Sequence, residues 1–299
     1  MIIDGPDDVT KAVLEAFDKA PDPRLREILQ ALVRHLHGFA REIRLTEEEF
    51  HQACNFIARL GQHTTATHNE VVLMAGSLGL SPLICLINNG NKGQTETSAS
   101  MLGPFWRLNA PHTPDGGSIV RSPTPGPALF VRVQVKDGAG APVAGAEVDV
   151  WQSSPEGFYE NQDESQADMN LRGKLTTDAA GRFSFRSVKP AGYPIPVDGP
   201  VGDLVRAVRR PHHYRPAHLH FLIYKPGFKT LISQVYSSDD ERLDSDVQFG
   251  VTRTLIGNYE RHDGEAPAPA PDVAAPWYSL DYTFVMEPGE AKLPRAPIQ

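Results

Sequence analysis

Cysteine is nearly missing from this chain: 299 residues carry two, Cys54 and Cys85. Both stand in apolar surroundings, so they read as buried free thiols of a reducing compartment and not as a disulfide framework. Basic surplus is missing too, because 29 Lys and Arg face 37 Asp and Glu, a net charge of −8. A protein that tracks nucleic-acid phosphates needs a basic face, so that class is excluded. The opening MIIDGPDDVTK lacks a basic stretch followed by an apolar one, so no signal peptide is expected. The longest apolar run, VVLMAGSLGLSPLICLI at 71–87, is short for a membrane span and is broken by Gly76, Gly79 and Pro82. It reads as a buried helical segment, and no membrane span is expected. Internal repeats are missing as well.

What is present divides into two patterns. In DPRLREILQALVRHLHGFAREI, 22–43, Leu25, Ile28, Leu29, Leu32, Val33, Leu36 and Phe39 recur at steps of three and four, one apolar stripe on a helix. Thr46–Glu49 is a capping box opening a helix with Phe50, Ala53, Cys54, Ile57 and Leu60 on one side. His35, His37, His51, His63 and His68 are scattered through this part and read as structural or exposed. From about residue 105 the period falls to two: Val131, Val133 and Val135, then Val148 and Val150, then Phe183 and Phe185, with Gly and Pro clusters between. That is the pattern of an antiparallel β-sandwich. The expected division is a helical domain, 1–104, and a β-sandwich domain, 105–299. The Pro/Ala-rich stretch 264–276 reads as a surface loop before a last strand, WYSLDYTFVM.

RPHHYRPAHLHF, 210–221, packs four of the eleven histidines into nine positions. AHLHFLIY fits a strand. Side chains alternate on a strand, so His218 and His220 share a face while Leu219, Phe221 and Ile223 point into the core. Two imidazoles so spaced can converge on one metal. His212 and His213 read as loop residues. A His-x-His pair leaves the metal open: zinc wants Cys or a third His, and ferrous iron wants a carboxylate that no spacing places. Tyr159 in PEGFYE and Tyr193 in the Pro/Gly-clamped turn KPAGYPIPVDGP stand out, because such turns hold a side chain in one direction.

Taken in order, GFY, LRG at 171–173, TDAAGRF at 177–183, GYPIPVDGP and RPAHLHF resemble the intradiol ring-cleaving dioxygenases, the catechol, chlorocatechol and hydroxyquinol enzymes. The resemblance covers nearly the whole chain. It implies a β-sandwich catalytic domain with an N-terminal helical linker domain that forms a homodimer, sometimes around a bound phospholipid. It implies one non-haem Fe(III) per chain on Tyr159, Tyr193, His218 and His220, with Tyr193 the ligand the substrate displaces. The substrates would be a small aromatic diol or triol and O2, in the cytoplasm. Arg215 matches the arginine that stabilises negative charge on the ring, and Gln234 matches a glutamine near it.

The resemblance places Leu73, Gly76, Met101, Leu102, Gly103, Pro104, Ile195, Pro196 and Val251 around the substrate. SMLGPFW, 100–106, resembles the form found in hydroxyquinol enzymes, which favours benzene-1,2,4-triol and a maleylacetate product. Gly76 cuts the other way. Hydroxyquinol enzymes commonly carry an acid there, and glycine has no side chain to receive a third hydroxyl, which keeps catechols as the alternative. The β region also resembles transthyretin-like sandwiches that bind but do not catalyse. Such a module would hold no iron.

Overall fold

The computed structural model describes residues 2–65, 68–89, 96–264 and 267–297. Two compact units divide at Arg59 and Leu60. The expected surface loop at 264–276 includes residues 265 and 266, which lie outside the described residues.

The first unit holds α1 (Pro6–Phe17), α2 (Pro23–Glu42) and most of α3 (Glu47–His63). Each start is explained locally. Asp22 accepts the Arg24 N–H at 2.8 Å and Pro23 supplies the fixed first φ of α2. The capping box of α3 is formed as expected. Thr46 N–H donates to Glu49 Oε2 at 2.9 Å, and Glu49 N–H donates to Thr46 Oγ1 at 3.3 Å. Helices α1 and α2 are tied by Arg41 Nη2, which donates to Pro6 O and to Thr10 Oγ1. The α2 stripe is only partly used: Val33 is buried, whereas Leu25, Ile28, Leu32, Leu36 and Phe39 stay 46–55% exposed.

The second unit begins with α4 (Glu70–Ser77) and α5 (Leu80–Asn89). Here the sequence expectation of one buried helix is corrected. The run is two helices bent by 77° around the left-handed Gly79. Its Val71, Val72, Leu78, Leu80, Leu83, Ile84 and Ile87 are exposed. An all-round apolar composition cannot say which side faces the fold, so exposure was not legible. No single described helix is long and apolar enough to cross a membrane. Cys54 is also exposed rather than buried, although both cysteines are free.

The strands are β1 (Ala128–Asp137), β2 (Glu147–Trp151), β3 (Arg172–Thr176), β4 (Arg182–Val188), β5 (Tyr193–Pro194), β6 (Tyr214–Arg215), β7 (His218–Tyr224), β8 (Leu231–Ser237), β9 (Ile256–Gly257), β10 (Tyr259–His262) and β11 (Trp277–Met286), with α6 (Pro200–Ala207) after β5. One sheet has the order β10-β11-β1-β4, the other β3-β2-β7-β8-β9, and β5 pairs with β6 alone. Alternation put the expected residues inward: Val131, Val133, Val135, Val148, Val150, Phe183, Phe185, Leu219, Phe221 and Ile223 form one core between the two main sheets. The sandwich is mixed, not wholly antiparallel. β1 runs parallel to β11, and β8 parallel to β9. A period of two fixes the buried face of a strand and says nothing about its neighbour's direction.

Candidate functional site

β7 carries the centre of the site. Leu219, Phe221 and Ile223 anchor one face of this strand in the core, so His218 and His220 must emerge together on the other. Their Nε2 atoms lie 3.1 Å apart, and His220 Nε2 lies 3.1 Å from Tyr159 Oη. His218 Nδ1 is 2.7 Å from Pro216 O. A carbonyl only accepts, so Nδ1 carries the proton and the Nε2 lone pair faces His220. Burial, then the charge of Arg215, pushes His218 down to about 3. Burial and the neighbouring His218 also hold His220 well below its ordinary value. Both rings are therefore neutral at pH 7, the form that binds metals.

Tyr159 and Tyr193 complete the cluster. Tyr159 follows β2 in a loop clamped from both sides. Its ring stacks on Phe105 at 4.4 Å, and its N–H donates to Gln162 Oε1 at 3.0 Å. Behind it, the Arg172 Nε donates to the Glu160 carboxylate at 2.7 Å, both residues being buried. Tyr193 sits on β5 with its ring edge-on to Tyr159 at 5.5 Å and 5.6 Å from the His218 ring. Burial, then Tyr193 beside it, raises the Tyr159 phenol well above its usual value. Trp151 stacks on His220 at 4.6 Å with the planes 10° apart. Gly103 passes close by in a left-handed conformation, φ 74°, and a Cβ there would stand 3.3 Å from His220 Cε1. Glycine suits that approach on both counts.

The cluster fits a hard cation. Two imidazole Nε2 atoms and the Tyr159 phenol oxygen converge with little solvent access, and the Tyr193 ring lies beside them. A cation would replace these near-contacts with bonds and lower the Tyr159 phenol pKa that burial raises. Tyr159, Tyr193, His218 and His220 are thus the residues able to hold one.

Arg215 is the buried charge beside them. Its Nε donates to Asp246 Oδ1 at 3.2 Å, and Nη2 reaches Gln234 Oε1 at 2.9 Å, Tyr236 Oη at 2.7 Å and Asp246 Oδ2 at 3.1 Å. Nη1 is left facing His218 Nε2 at 3.5 Å. Gln234, expected near the same site, stands beside Arg215 and links it to the chain before the sandwich: its Nε2 donates to Met101 O at 2.6 Å. Burial alone would raise the Asp246 carboxyl, but the Arg215 charge and hydrogen bonds from Arg215 and from the Gln248 and Gly250 N–H groups hold it below the usual range.

A cavity of about 530 Å³ opens on this cluster through Tyr193 and Arg215. Leu73, Met101, Leu102, Gly103, Pro104, Ile195 and Pro196 line it, as the sequence suggested. Gly76 and Val251 are not among its lining residues. Gln248 takes that part of the wall, and an ideal Cβ on Gly76 would overlap Gln248 Oε1. Sequence reading also missed Asp246, Tyr236 and Trp151. Only the chain reversal at 246–250 reveals the first, and only strand register the other two.

A second cluster, His63, His68 and Glu70, shares no residue with these ligands, and His68 lines the same cavity. Both Glu70 oxygens are already engaged there, Oε1 by the Val201 N–H at 2.8 Å and Oε2 by His68 at 2.6 Å. It ties α4 to the start of α6.

A family model described as Dioxygenase matches residues 101–288, and one described as Catechol dioxygenase N terminus matches residues 22–96. The chain is similar to a hydroxyquinol 1,2-dioxygenase from a Rhizobium species, 40% identical over 92% of this chain and 93% of that protein. It is also similar to a catechol 1,2-dioxygenase from Candida albicans, 37% identical over 91% of this chain and 89% of that protein. A solved hydroxyquinol 1,2-dioxygenase from Pseudomonas putida superposes with a TM-score of 0.86 at 37% identity, covering 95% of this chain and 99% of that one.

Proposed function

We propose, because the chain belongs to the intradiol ring-cleaving dioxygenase family, that it opens the ring of hydroxyquinol between its two vicinal hydroxylated carbons. O2 is the co-substrate and maleylacetate the product. Both oxygen atoms enter the product, so no external reductant is needed. The observation that carries the reading is the buried convergence of Tyr159, His218 and His220 beside Arg215, at the end of a cavity lined by apolar groups.

In this reading one non-haem Fe(III) per chain is held by Tyr159, Tyr193, His218 and His220. When bound, the iron supplies a Lewis acid that draws the diol in as a dianion and makes its ring carbon reactive toward O2. The residues do the rest. Tyr193 stands at the cavity end of the cluster, so its phenol oxygen would be the one placed to accept a proton from the incoming hydroxyl. Tyr159 is locked by Phe105 and by the Arg172–Glu160 pair behind it, which suits a ligand that stays. Arg215 Nη1, fixed in place by Asp246, Gln234 and Tyr236, supports negative charge gathering on the ring oxygen. Leu73, Met101, Ile195 and Pro196 keep water from the ring.

Catechol or a substituted catechol is the second reading, favoured by the absence of a side chain at Gly76 and by similarity to the Candida albicans enzyme. The assembly belongs to the same proposal: a helical domain, 1–104, a catalytic domain, 105–299, and a cytoplasmic homodimer through the N-terminal helices, with a phospholipid as a further partner.

Oxygen uptake by the iron-loaded protein tests the substrate directly. Faster uptake with hydroxyquinol than with catechol, and a dicarboxylate product, is the expected result. Preference for catechol moves the assignment to the second reading. A ring-opened semialdehyde overturns intradiol cleavage.

A further inference from the structure

We infer that the side-chain carbonyl of Gln248 reads the third hydroxyl of the ring, the one that does not take part in cleavage, and so makes this chain selective for a triol over a diol. The inference rests on the function proposed above and adds the residue that decides its substrate.

Gly76 and Gln248 form one unit. Gly76 is buried in α4, and a Cβ there would overlap Gln248 Oε1 and stand 2.7 Å from Cδ. The missing side chain is therefore what lets the Gln248 amide lie against the helix. The amide is also oriented. Its Nε2 donates to Ser77 Oγ at 2.9 Å and toward Leu73 O at 3.4 Å. A backbone carbonyl cannot donate, so these bonds fix which end is NH2, and the oxygen is the amide atom lying nearest Gly76. No described residue donates to it. The stem is held as firmly, since Gln248 N–H donates to Asp246 Oδ1 at 3.1 Å. Asp246 is the residue that grips Arg215. One short turn thus sets both the charge beside the cluster and the acceptor on the wall.

Most of the same cavity's wall is apolar, with Leu73, Met101, Ile195 and Pro196 among its lining residues. Arg215, the charged group next to the cluster, is a donor only. Gln248 Oε1 supplies a neutral acceptor whose amide is fixed by Ser77 and Leu73. A ring hydroxyl can donate to it, whereas a hydrogen or a methyl group at that ring position cannot. A triol therefore gains a hydrogen bond, and a diol leaves the oxygen unpaired against apolar surface, which is how a polar group in a closed site rejects a ligand lacking the partner.

The test is oxygen uptake by iron-loaded wild type and Gln248→Leu with hydroxyquinol and with catechol, taking the ratio of the two kcat/KM values. The ratio is expected to fall about tenfold in Gln248→Leu, the worth of one neutral hydrogen bond. Because the triol and the diol share the cleavage step, the ratio removes any general loss from the substitution. A ratio unchanged in an active variant overturns the inference and makes Gln248 a packing residue. Wild type alone keeps the idea testable if the variant does not fold. A KM for hydroxyquinol clearly below that for 4-methylcatechol, similar in size but without the donor, supports it, and equal KM values overturn it. Wild type that consumes no oxygen with any of these compounds instead defeats the proposed function, and this inference with it.

Discussion

Tyr193 and Arg215 are register partners across the short ladder of β5 and β6. The pairing delivers a phenol and a guanidinium to one end of the cavity from two segments 22 positions apart in sequence, and neither is on a main sheet. Arg215 reaches its partners as a planar fork, two nitrogens onto Asp246 with Nη2 shared by Gln234 and Tyr236. A lysine carries the charge without the fork. Arg215→Lys should therefore keep the fold but lower kcat about 10²–10³-fold, the loss expected for one misplaced charge-stabilising donor. Steady-state oxygen uptake beside a circular-dichroism melt separates the two effects.

Asp246 should control acid stability. Its folded pKa lies below the usual carboxylate value, because Arg215 and the surrounding N–H donors outweigh the cost of burial. A depressed carboxylate stabilises the fold fully above its unfolded pKa of about 3.9, and that contribution is lost as pH falls through the folded value. Wild type should then hold its stability from pH 7 down to about 5 and lose it below about 4. Asp246→Asn leaves the Arg215 charge buried without its carboxylate and should cost about 3–5 kcal/mol at pH 7. The variant's stability should also depend less on pH between about 5 and 3, where this carboxylate would have titrated. Urea unfolding at several pH values reads both effects, and a variant with the wild-type midpoint at neutral pH would refute them.

Iron should bind once per chain and report itself by colour. Tyrosinate ligands give a visible charge-transfer band, so loaded wild type should be coloured and a chelator should bleach it. Iron that binds only the folded chain should stabilise it by about 2.7 kcal/mol at 100 times its Kd. His220→Ala removes a ligand together with the ring stacked on Trp151, so it should lose the metal, the colour and the thermal shift. Tyr193→Phe should keep a weaker band from Tyr159 and lose turnover. Elemental analysis and absorbance check each outcome.

The parts of the site legible in the sequence are those governed by short-range rules. Alternation on β7 put His218 and His220 together because Leu219 and Phe221 had to go inward. The capping box of α3 was legible for the same reason. What escaped depends on distant segments meeting. The parallel pairing of β1 with β11 joins residues about 150 positions apart, Arg132 opposite Asp281 among them. Gln248 covers Gly76 across 172 positions, so a glycine read as a gap in the substrate wall is occupied by another residue's amide. Apolar patterning likewise could not say that α4 and α5 would show their Leu, Ile and Val side chains outward.

The α2 stripe gives the last prediction. Leu25, Ile28, Leu32, Leu36 and Phe39 follow the helical period, yet each stays about half exposed. The spacing is that of a buried face, and α2 is well formed, with a capped start and Arg41 tied back to α1. A contiguous apolar stripe of this kind on a stable helix is an association surface. A second copy of the same chain is the partner the proposed assembly supplies, since a two-fold interface uses one patch twice. Leu32 and Leu36 are one turn apart near the middle of the stripe, so a charge on each should disrupt the interface while leaving α2 helical. Leu32→Glu/Leu36→Glu should shift the protein from dimer to monomer in sedimentation at micromolar concentration, with helical content preserved. Iron content should be unchanged, because the ligands lie between residues 159 and 220. Wild type sedimenting as a monomer under the same conditions would overturn the dimer, and a variant that stays dimeric would move the interface off this stripe.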